Sequence, residues 1–300
     1  MLRGLITMTD GSLITNNGKI MMLNRAFKAS PDYTAPTVFK VGIENGTPSV
    51  TSTDLDHPIP ISGVETVNDC EDHTNFTAGT DSALSDNATT YKQGNGSISI
   101  AKSGTSGTTF SMSGTVTSLD FANKKLSTWL YILDITDLVT SGTAVSIRYG
   151  NDGSNYWQYD IDIGSLANGW NLFEWEDGDA SSSTGSPSTT ACDYYAIILN
   201  TDLAADTVAA DRVVVDDLKL ISSDDYTKTY VSGYPLIDET NKEVETQMYL
   251  TSVEANGYDI NGAAMFNTDS TPLMFSEDTF TAESKSNTDE FVIVAKDRLV

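Results

Sequence analysis

The residues best placed to do chemistry are two adjacent aspartates in the apolar segment RVVVDDLKLI (212–221). In an extended strand, alternation puts Asp216 on one face and Asp217 on the other, each beside apolar residues. A buried carboxylate needs hydrogen bonds, a cation or a metal, and Ca²⁺ prefers carboxylate and carbonyl oxygens. The acidic stretch NDCED (68–72) would supply further ligands if the first and last strands of this region pair. The alternative is a solvated strand end.

No catalytic constellation stands out elsewhere. The two histidines, His57 and His73, lie in a proline-containing segment and a polar loop, without a nucleophile motif beside them. The Walker A, dinucleotide-binding, G-x-S-x-G and H-E-x-x-H patterns are absent. Chance pairs among 42 acidic residues identify no glycosidase, because most acidic side chains are simply exposed. We therefore expect no enzyme and no catalytic residue.

The net charge of −25 disfavours several classes of partner. Such a surface repels nucleic acid, other polyanions and anionic membranes, so no nucleic-acid partner is expected. The sequence has no apolar run of about 18 residues, which predicts no membrane insertion. The N-terminal apolar stretch reaches Asp10 too soon for a signal peptide, so the sequence does not support conventional secretion.

The two cysteines, Cys70 and Cys192, match no metal motif and no disulfide framework. Because cysteine often behaves as a small apolar residue, we expect buried or free thiols. A single bridge between them is the alternative, if their strands are neighbours.

The chain as a whole has the pattern of an all-β protein. Between about residues 96 and 222, strand-like segments recur with Gly, Asn and Asp turns between them, which is typical of a β-sandwich. About eight such strands suit a jelly roll. The exception is NNGKIMMLNRAF (16–27), where Ile20, Leu23 and Phe27 share one helical face. A strand is the alternative for this segment, because its residues can also be divided between two alternating faces.

Charge and texture change in the middle of the chain. Residues 65–225 carry 7 Lys and Arg against 24 Asp and Glu, whereas the flanks together carry 10 against 18. Similar texture at both ends predicts an insertion, since the termini of a domain often lie close together. We expect residues 1–64 and 226–300 to form a discontinuous β-sandwich scaffold domain, with a jelly-roll β-sandwich at 65–225 inserted into it.

The middle region resembles the jelly-roll sandwiches of carbohydrate-binding modules. The resemblance lies in the segments NDCED, GNGSISI, LSTWLYI, NYWQYDI, NGWNLFEW and VVVDDLKL. It implies that Asp216 binds a structural Ca²⁺ with Glu71 or Asp69, and that exposed aromatic rings stack on sugars. Trp129 lies in the most apolar strand and is expected in the core. The stacking candidates, at least half of which would be core residues if aromatic side chains follow their usual burial, are Tyr156, Trp157, Tyr159, Trp170 and Trp175.

The flanks resemble the tail, fibre or minor structural proteins of tailed-bacteriophage virions, through GKIMMLNRAFKASPDYTAPTVFKVGI and YLTSVEANGYDINGAAMFNTDSTPLMFSEDTF. The resemblance implies a structural component of a tail, fibre, baseplate or neck appendage, located in the virion after assembly in the host cytoplasm. Its partners would be other virion proteins and further copies of itself, and no cofactor would be required. The alternative function is carbohydrate binding to a host-surface glycan during adsorption, and the two are compatible.

The segment GAAMFNTDSTPLMFSEDTF (262–280) predicts a hairpin around the turn NTDSTP. Alternation sends its apolar residues to both faces, so the sheet must be covered on both sides, by its own domain or by a neighbouring subunit. The second face is therefore the candidate interface with another virion protein. Its residues are Met265, Phe266, Met274 and Phe275.

Overall fold

The computed structural model describes residues 2–7, 13–44, 47–61 and 64–298. The N-terminal stretch around Asp10, considered above for a signal peptide, lies outside them. The chain divides into two compact units. Unit 1 comprises Met1–Ser62 and Asp224–Val300, and unit 2 comprises Gly63–Ser223. Both are built from β-sheets, so the predicted all-β class is confirmed.

The first segment of unit 1 contains β1 (Leu2–Thr7), β2 (Leu13–Ile14), α1 (Asn16–Phe27), β3 (Val38–Ile43) and β4 (His57–Pro58). Unit 2 contains β5 (Glu65–Asn68), β6 (Thr77–Ala78), β7 (Ser82–Asn87), β8 (Ser97–Lys102), β9 (Thr109–Leu119), β10 (Lys124–Ile132), β11 (Thr143–Asp152), β12 (Asn155–Asp162), β13 (Gly169–Trp175), β14 (Ser182–Thr184), β15 (Cys192–Asn200) and β16 (Val213–Ser222). The second segment of unit 1 contains β17 (Thr227–Thr229), β18 (Leu236–Asp238), β19 (Glu243–Leu250), β20 (Tyr258–Phe266), β21 (Met274–Lys285) and β22 (Glu290–Arg298). Short 3-10 turns lie at His73–Asn75, Ile135–Asp137, Ile163–Ser165 and Asp177–Asp179.

Unit 2 is a sandwich of two antiparallel sheets. The first sheet has the order β13-β10-β16-β8-β7, with β5 also paired to β16, and the second has the order β14-β12-β11-β15-β9-β6. Alternate residues of the longer strands pack into one core, for example Leu130 of β10 and Ile147 of β11. The pairing of β5 with β16 joins the first and last strands of the unit, which was the condition set for the acidic site.

Both cysteines belong to unit 2, where they are buried and free. Burial raises the pKa of the Cys192 thiol to about 12, and it also raises the pKa of Cys70. Neither thiol is therefore activated as a nucleophile.

Unit 1 also contains two sheets. One has the order β17-β3-β20-β21-β2, with β4 paired to β3, and the other has the order β1-β22-β19-β18. Phe39 and Met265 from the first sheet share an apolar cluster with Met248 and Ile293 from the second. The cluster forms the core of this unit.

The segment 16–27 takes the helical alternative. Thr15 caps the helix, since its Oγ1 accepts a hydrogen bond from the Gly18 amide at 3.0 Å. Gly18 allows close approach to β21, because a Cβ there would lie 2.1 Å from the Phe275 carbonyl oxygen. Met21 is buried with it.

The hairpin of β20 and β21 is covered by unit 1 itself. Met265 lies in the core cluster with Phe275 packed against it, while Phe266 and Met274 form a second cluster with Leu55 on the opposite face. Met265, Phe266 and Met274 are all at most 2% exposed. This corrects the predicted interface, because the segment around Leu55 takes the place expected for a neighbouring subunit.

Candidate functional site

Three of the five predicted stacking residues point into the core of unit 2. Trp157 and Tyr159 of β12 belong to its apolar cluster, and Trp175 of β13 packs against it. The Tyr159 and Trp175 rings stack 5.0 Å apart, and the Tyr159 hydroxyl donates to the Glu176 carbonyl at 3.0 Å. These side chains have internal partners, which corrects their assignment to sugar stacking.

Trp170 lies on the outer face of the first sheet beside Trp129 and Tyr131, two aromatic neighbours that sequence reasoning missed. Register places it opposite Tyr131, and places Trp129 opposite Leu172 on the same face. The Trp170 ring makes edge-to-face contacts with Trp129 at 6.3 Å and with Tyr131 at 5.3 Å. Trp129 is thus not a core residue. The signal was available, because Leu130 and Ile132, which alternate with these two aromatics, are the core residues of β10.

The three rings of this aromatic patch are half-buried and contact one another and a lysine of the same chain. The Lys92 ammonium lies 4.2 Å from the centroid of the Trp129 ring, and the three rings contact one another by their edges. A sugar stacking on the side of the Trp129 ring that Lys92 occupies would have to displace that ammonium.

The outer face of the second sheet has a different character. Alternation in β12 turns Tyr156, Gln158 and Asp160 away from the core that Tyr159 enters. Register sets Arg148 of β11 opposite Gln158, and the Arg148 Nε donates to Gln158 Oε1 at 2.8 Å. Gln158 Nε2 in turn donates to Asp160 Oδ1 at 2.9 Å. Three planar polar groups are therefore held in one hydrogen-bonded row.

Two tyrosines border this row. The Arg148 guanidinium lies 4.6 Å from the Tyr156 ring centroid, and the Tyr156 and Tyr194 rings are 6.1 Å apart with an angle of 38° between them. Tyr156 is 8% exposed, so its ring packs against Arg148 and has little surface left for stacking on a sugar. Tyr194 of β15 is half-buried, and sequence reasoning missed it although it alternates with the core residue Tyr195. We call this surface the Tyr–Arg face; its residues are Arg148, Tyr156, Gln158, Asp160 and Tyr194.

The Tyr–Arg face keeps unused hydrogen-bonding capacity. Among the hydrogen bonds of the described residues, Arg148 uses only its Nε, and its two terminal nitrogens donate to no protein group. Asp160 Oδ1 accepts from Ser146 Oγ at 2.5 Å and from Gln158, while its Oδ2 accepts from no described group. An external ligand with paired hydroxyl groups would find donors and an acceptor already oriented.

The predicted calcium residues are used in another way. Asp216 Oδ2 accepts hydrogen bonds from the backbone amides of Lys92 at 2.6 Å and Gln93 at 3.0 Å. Glu71 Oε1 accepts from the Asn95 amide at 2.8 Å. The two carboxylates therefore fasten one loop, residues 92–95, across the first sheet.

Asp216 itself is fully buried, and its Oδ1 has no hydrogen-bond partner. Burial raises its pKa to about 6, against the lowering effect of the two backbone amides. Strict alternation fails here, because Asp217 adopts a positive φ of 57° and the next core residue is Leu218. Asp217 is buried as well, and it pairs with the Lys219 ammonium at 2.6 Å.

Asp216, Glu71 and Asp69 do not form one close group of three ligands. Within the part of the chain that the structure describes, the ligating side chains that come within 4.8 Å of one another are Asp72, His73 and Asp86. Asp69 instead accepts from the Glu71 amide in a local turn, at 3.3 Å. The unpartnered Asp216 Oδ1 suits a cation as one ligand, and calcium binding by Asp216 with Glu71 or Asp69 stays a prediction.

The described residues contain no helix long and apolar enough to cross a membrane. No family model matches the sequence, and no curated protein matches it.

Solved carbohydrate-binding and agarase structures show a distant likeness. A family 11 carbohydrate-binding module of the Clostridium thermocellum cellulase Lic26A-Cel5E matches with a TM-score of 0.38 and 13% identity, over 55% of this chain and 97% of the module. The agarase AgWH50C matches with a TM-score of 0.38 and 11% identity, over 53% of this chain and 26% of the enzyme. The module TmCBM61, solved with β-1,4-galactotriose, matches with a TM-score of 0.30 and 11% identity, over 53% and 99%.

Proposed function

We propose that this chain binds a neutral polysaccharide through the Tyr–Arg face of unit 2. The observation that carries the proposal is the hydrogen-bonded row of Arg148, Gln158 and Asp160 beside the Tyr194 ring. Catalysis has no part in the proposal, which concerns binding alone.

The row matches the chemistry of a pyranose ring. Neighbouring hydroxyl groups of a sugar each donate and accept, so they pair with a guanidinium on one side and a carboxylate on the other. The C–H face of the sugar is apolar and suits the Tyr194 ring. Because Arg148 and Gln158 are already held in place, binding costs little side-chain entropy.

The charge of unit 2 favours a neutral ligand. Its acidic residues greatly outnumber its basic ones, and Asp160 and Asp162 are both exposed on the same face of β12 as Gln158. An anionic glycan would be repelled by this field. We expect binding to a neutral polysaccharide to change little with ionic strength, because neither partner contributes a long-range charge attraction.

The proposed biological setting comes from the flanking sequence. The resemblance of residues 1–64 and 226–300 to virion proteins supports a structural role in which unit 1 attaches to a tailed-phage particle. Unit 2 would then bind a host-surface glycan during adsorption. Mass spectrometry of purified virions tests this role, and absence of the chain from particles would reject it without bearing on sugar binding.

Affinity electrophoresis against a panel of neutral and anionic polysaccharides tests the binding proposal. The full chain should be retarded by at least one neutral polysaccharide, and Arg148→Leu and Tyr194→Ala should each weaken binding by about tenfold or more, equivalent to about 1.4 kcal/mol. Tyr91→Ala is the matched control, because Tyr91 is 43% exposed and precedes the loop on the first sheet.

Two results would overturn the proposal. One is the absence of retardation by every polysaccharide. The other is loss of binding in Trp170→Ala with full binding in Tyr194→Ala, which would assign the ligand to the aromatic patch of the first sheet.

A further inference from the structure

The helix α1 turns its most apolar side chains towards solvent. Ile20, Leu23 and Phe27 follow one another at helical spacing and are 48%, 60% and 83% exposed. The helix buries Gly18 and Met21 instead. An amphipathic helix of a globular protein normally turns such a stripe towards a core. The stripe of Ile20, Leu23 and Phe27 is therefore a helix face without a covering partner among the residues of unit 1 that the structure describes.

A second apolar surface of unit 1 lies on the edge strand β18. This strand ends the order β1-β22-β19-β18, and its Leu236 and Ile237 are 51% and 71% exposed. Edge strands usually carry charges or a covering segment, because an apolar edge invites association. Leu236 and Ile237 point to opposite sides of the strand, so both sides of this edge are apolar.

The two surfaces carry opposite charges. Residues 16–28 contain Lys19, Arg25 and Lys28 and no acidic residue, and Lys28 is paired with Asp32 just beyond the helix. The hairpin of β18 and β19, residues 236–245, contains four acidic residues and one lysine. Glu243 and Glu245 pair with Lys296, so the acidic residues offered at the exposed turn are Asp238 and Glu239. A basic helix is unusual in a chain with a net charge of −25, and it would be repelled by a second α1 helix in an antiparallel pair.

We propose that the α1 stripe of one copy docks against the β18 edge of a second copy of this chain. The apolar residues of each surface cover those of the other, and Lys19 and Arg25 meet the acidic end of the hairpin. The contact joins two different surfaces, so it is head-to-tail and leaves one helix and one hairpin free at the ends. Such contacts continue until a ring closes or a filament grows. The inference does not depend on sugar binding.

Sedimentation velocity of the full chain over a range of concentrations tests this contact. The wild-type chain is expected to assemble, and Phe27→Asp and Ile237→Asp are each expected to be monomeric. An equimolar mixture of these two variants should form a species of two chains, because one retains an intact hairpin and the other an intact helix. Leu203→Asp is the matched control, since Leu203 is a 64% exposed apolar residue of unit 2, and it should assemble like the wild type.

Several outcomes would overturn the proposal. A monomeric wild-type chain at every concentration would do so, as would unchanged assembly of Phe27→Asp or of Ile237→Asp. A mixture of the two variants that stays monomeric would show that the intact helix and the intact hairpin do not bind each other, and would also overturn it. Circular dichroism checks that each variant folds, and Leu23→Glu replaces Phe27→Asp if that variant does not. Lys19→Glu should weaken assembly, and adding Glu239→Lys to the same chain should restore it; failure to restore would refute the charge pairing.

Discussion

Replacing Asp216 by Asn tests the balance of forces on the buried carboxylate of unit 2. Its Oδ2 accepts two backbone hydrogen bonds, but its Oδ1 has no partner. Burial outweighs the hydrogen bonds and raises the pKa from 3.8 to about 6. Folding therefore favours the protonated form of this side chain.

The sign and size of the effect follow from this pKa difference. As the pH rises from 3.8 to about 6, the unfolded chain loses the Asp216 proton while the folded chain keeps it, so stability falls. A difference of about 2 pKa units corresponds to about 3 kcal/mol. The Asp216→Asn variant has no proton to lose at this position. Between about pH 4 and pH 7 its stability should improve relative to wild type by about 3 kcal/mol, or roughly 6–12 °C in Tm for a unit of this size.

Differential scanning calorimetry of both proteins in EDTA provides the assay. The difference between the two Tm values cancels the titration of other groups, and Asp69→Asn, at an exposed position, is the control that should show little change with pH. A Tm difference between variant and wild type that stays constant with pH would refute the reasoning. A wild-type Tm that rises relative to the variant's as the pH increases would also refute it. Adding Ca²⁺ tests the calcium prediction separately: it should raise the Tm of the wild type but not of the variant, and an equal response of both would contradict it.

Three further changes test other parts of the fold. The buried Lys102 ammonium donates to three backbone carbonyls, so Lys102→Met should destabilise unit 2 by about 3 kcal/mol in calorimetry; an unchanged Tm would contradict this. Burial raises the pKa of Glu44 to about 8, so stability falls as the pH rises towards that value, and Glu44→Gln should be more stable than wild type above pH 8. Equal Tm values for Glu44→Gln and wild type above pH 8 would contradict this prediction. Gly18→Ala should lower the Tm of unit 1 through a clash with the Phe275 carbonyl, unlike Ala substitution at Gly164, where a Cβ meets nothing.

Composition was informative about organisation. The composition of the sequence changes near residues 65 and 225, and the chain passes from one compact unit to the other at 62/63 and 223/224. Composition can locate such a boundary because the middle region is more acidic than the two flanks. The helix at 16–27 also followed from periodicity, but the pattern could not show that its apolar face is left exposed.

Alternation separated the two faces of a strand without saying which face is buried. In β12 it distinguishes Tyr156 from Trp157 and Tyr159, yet only the partner sheet shows that the latter two are core residues. In β16 it failed at Asp217, where a positive φ shifts the register and buries two adjacent acids. The row on the Tyr–Arg face depends on pairing between strands, which a single strand's pattern does not contain.

The sequence pattern also did not show which distant segment of the chain covers an apolar sheet face. The hairpin of β20 and β21 was expected to leave one apolar face for another protein. Leu55, more than 200 positions earlier in the chain, covers that face together with Phe266 and Met274. Contacts of such separation leave no local pattern in the sequence.

Amide hydrogen exchange of the full chain, with and without the polysaccharide that binds it most tightly, tests the central claim most directly. If the sugar binds the Tyr–Arg face, protection should increase in peptides covering 144–160 and around Tyr194. Peptides covering 126–132 and 169–175 should be unchanged. Protection confined to those two segments, or an exchange pattern that does not respond to the polysaccharide, would contradict the assignment of sugar binding to this face.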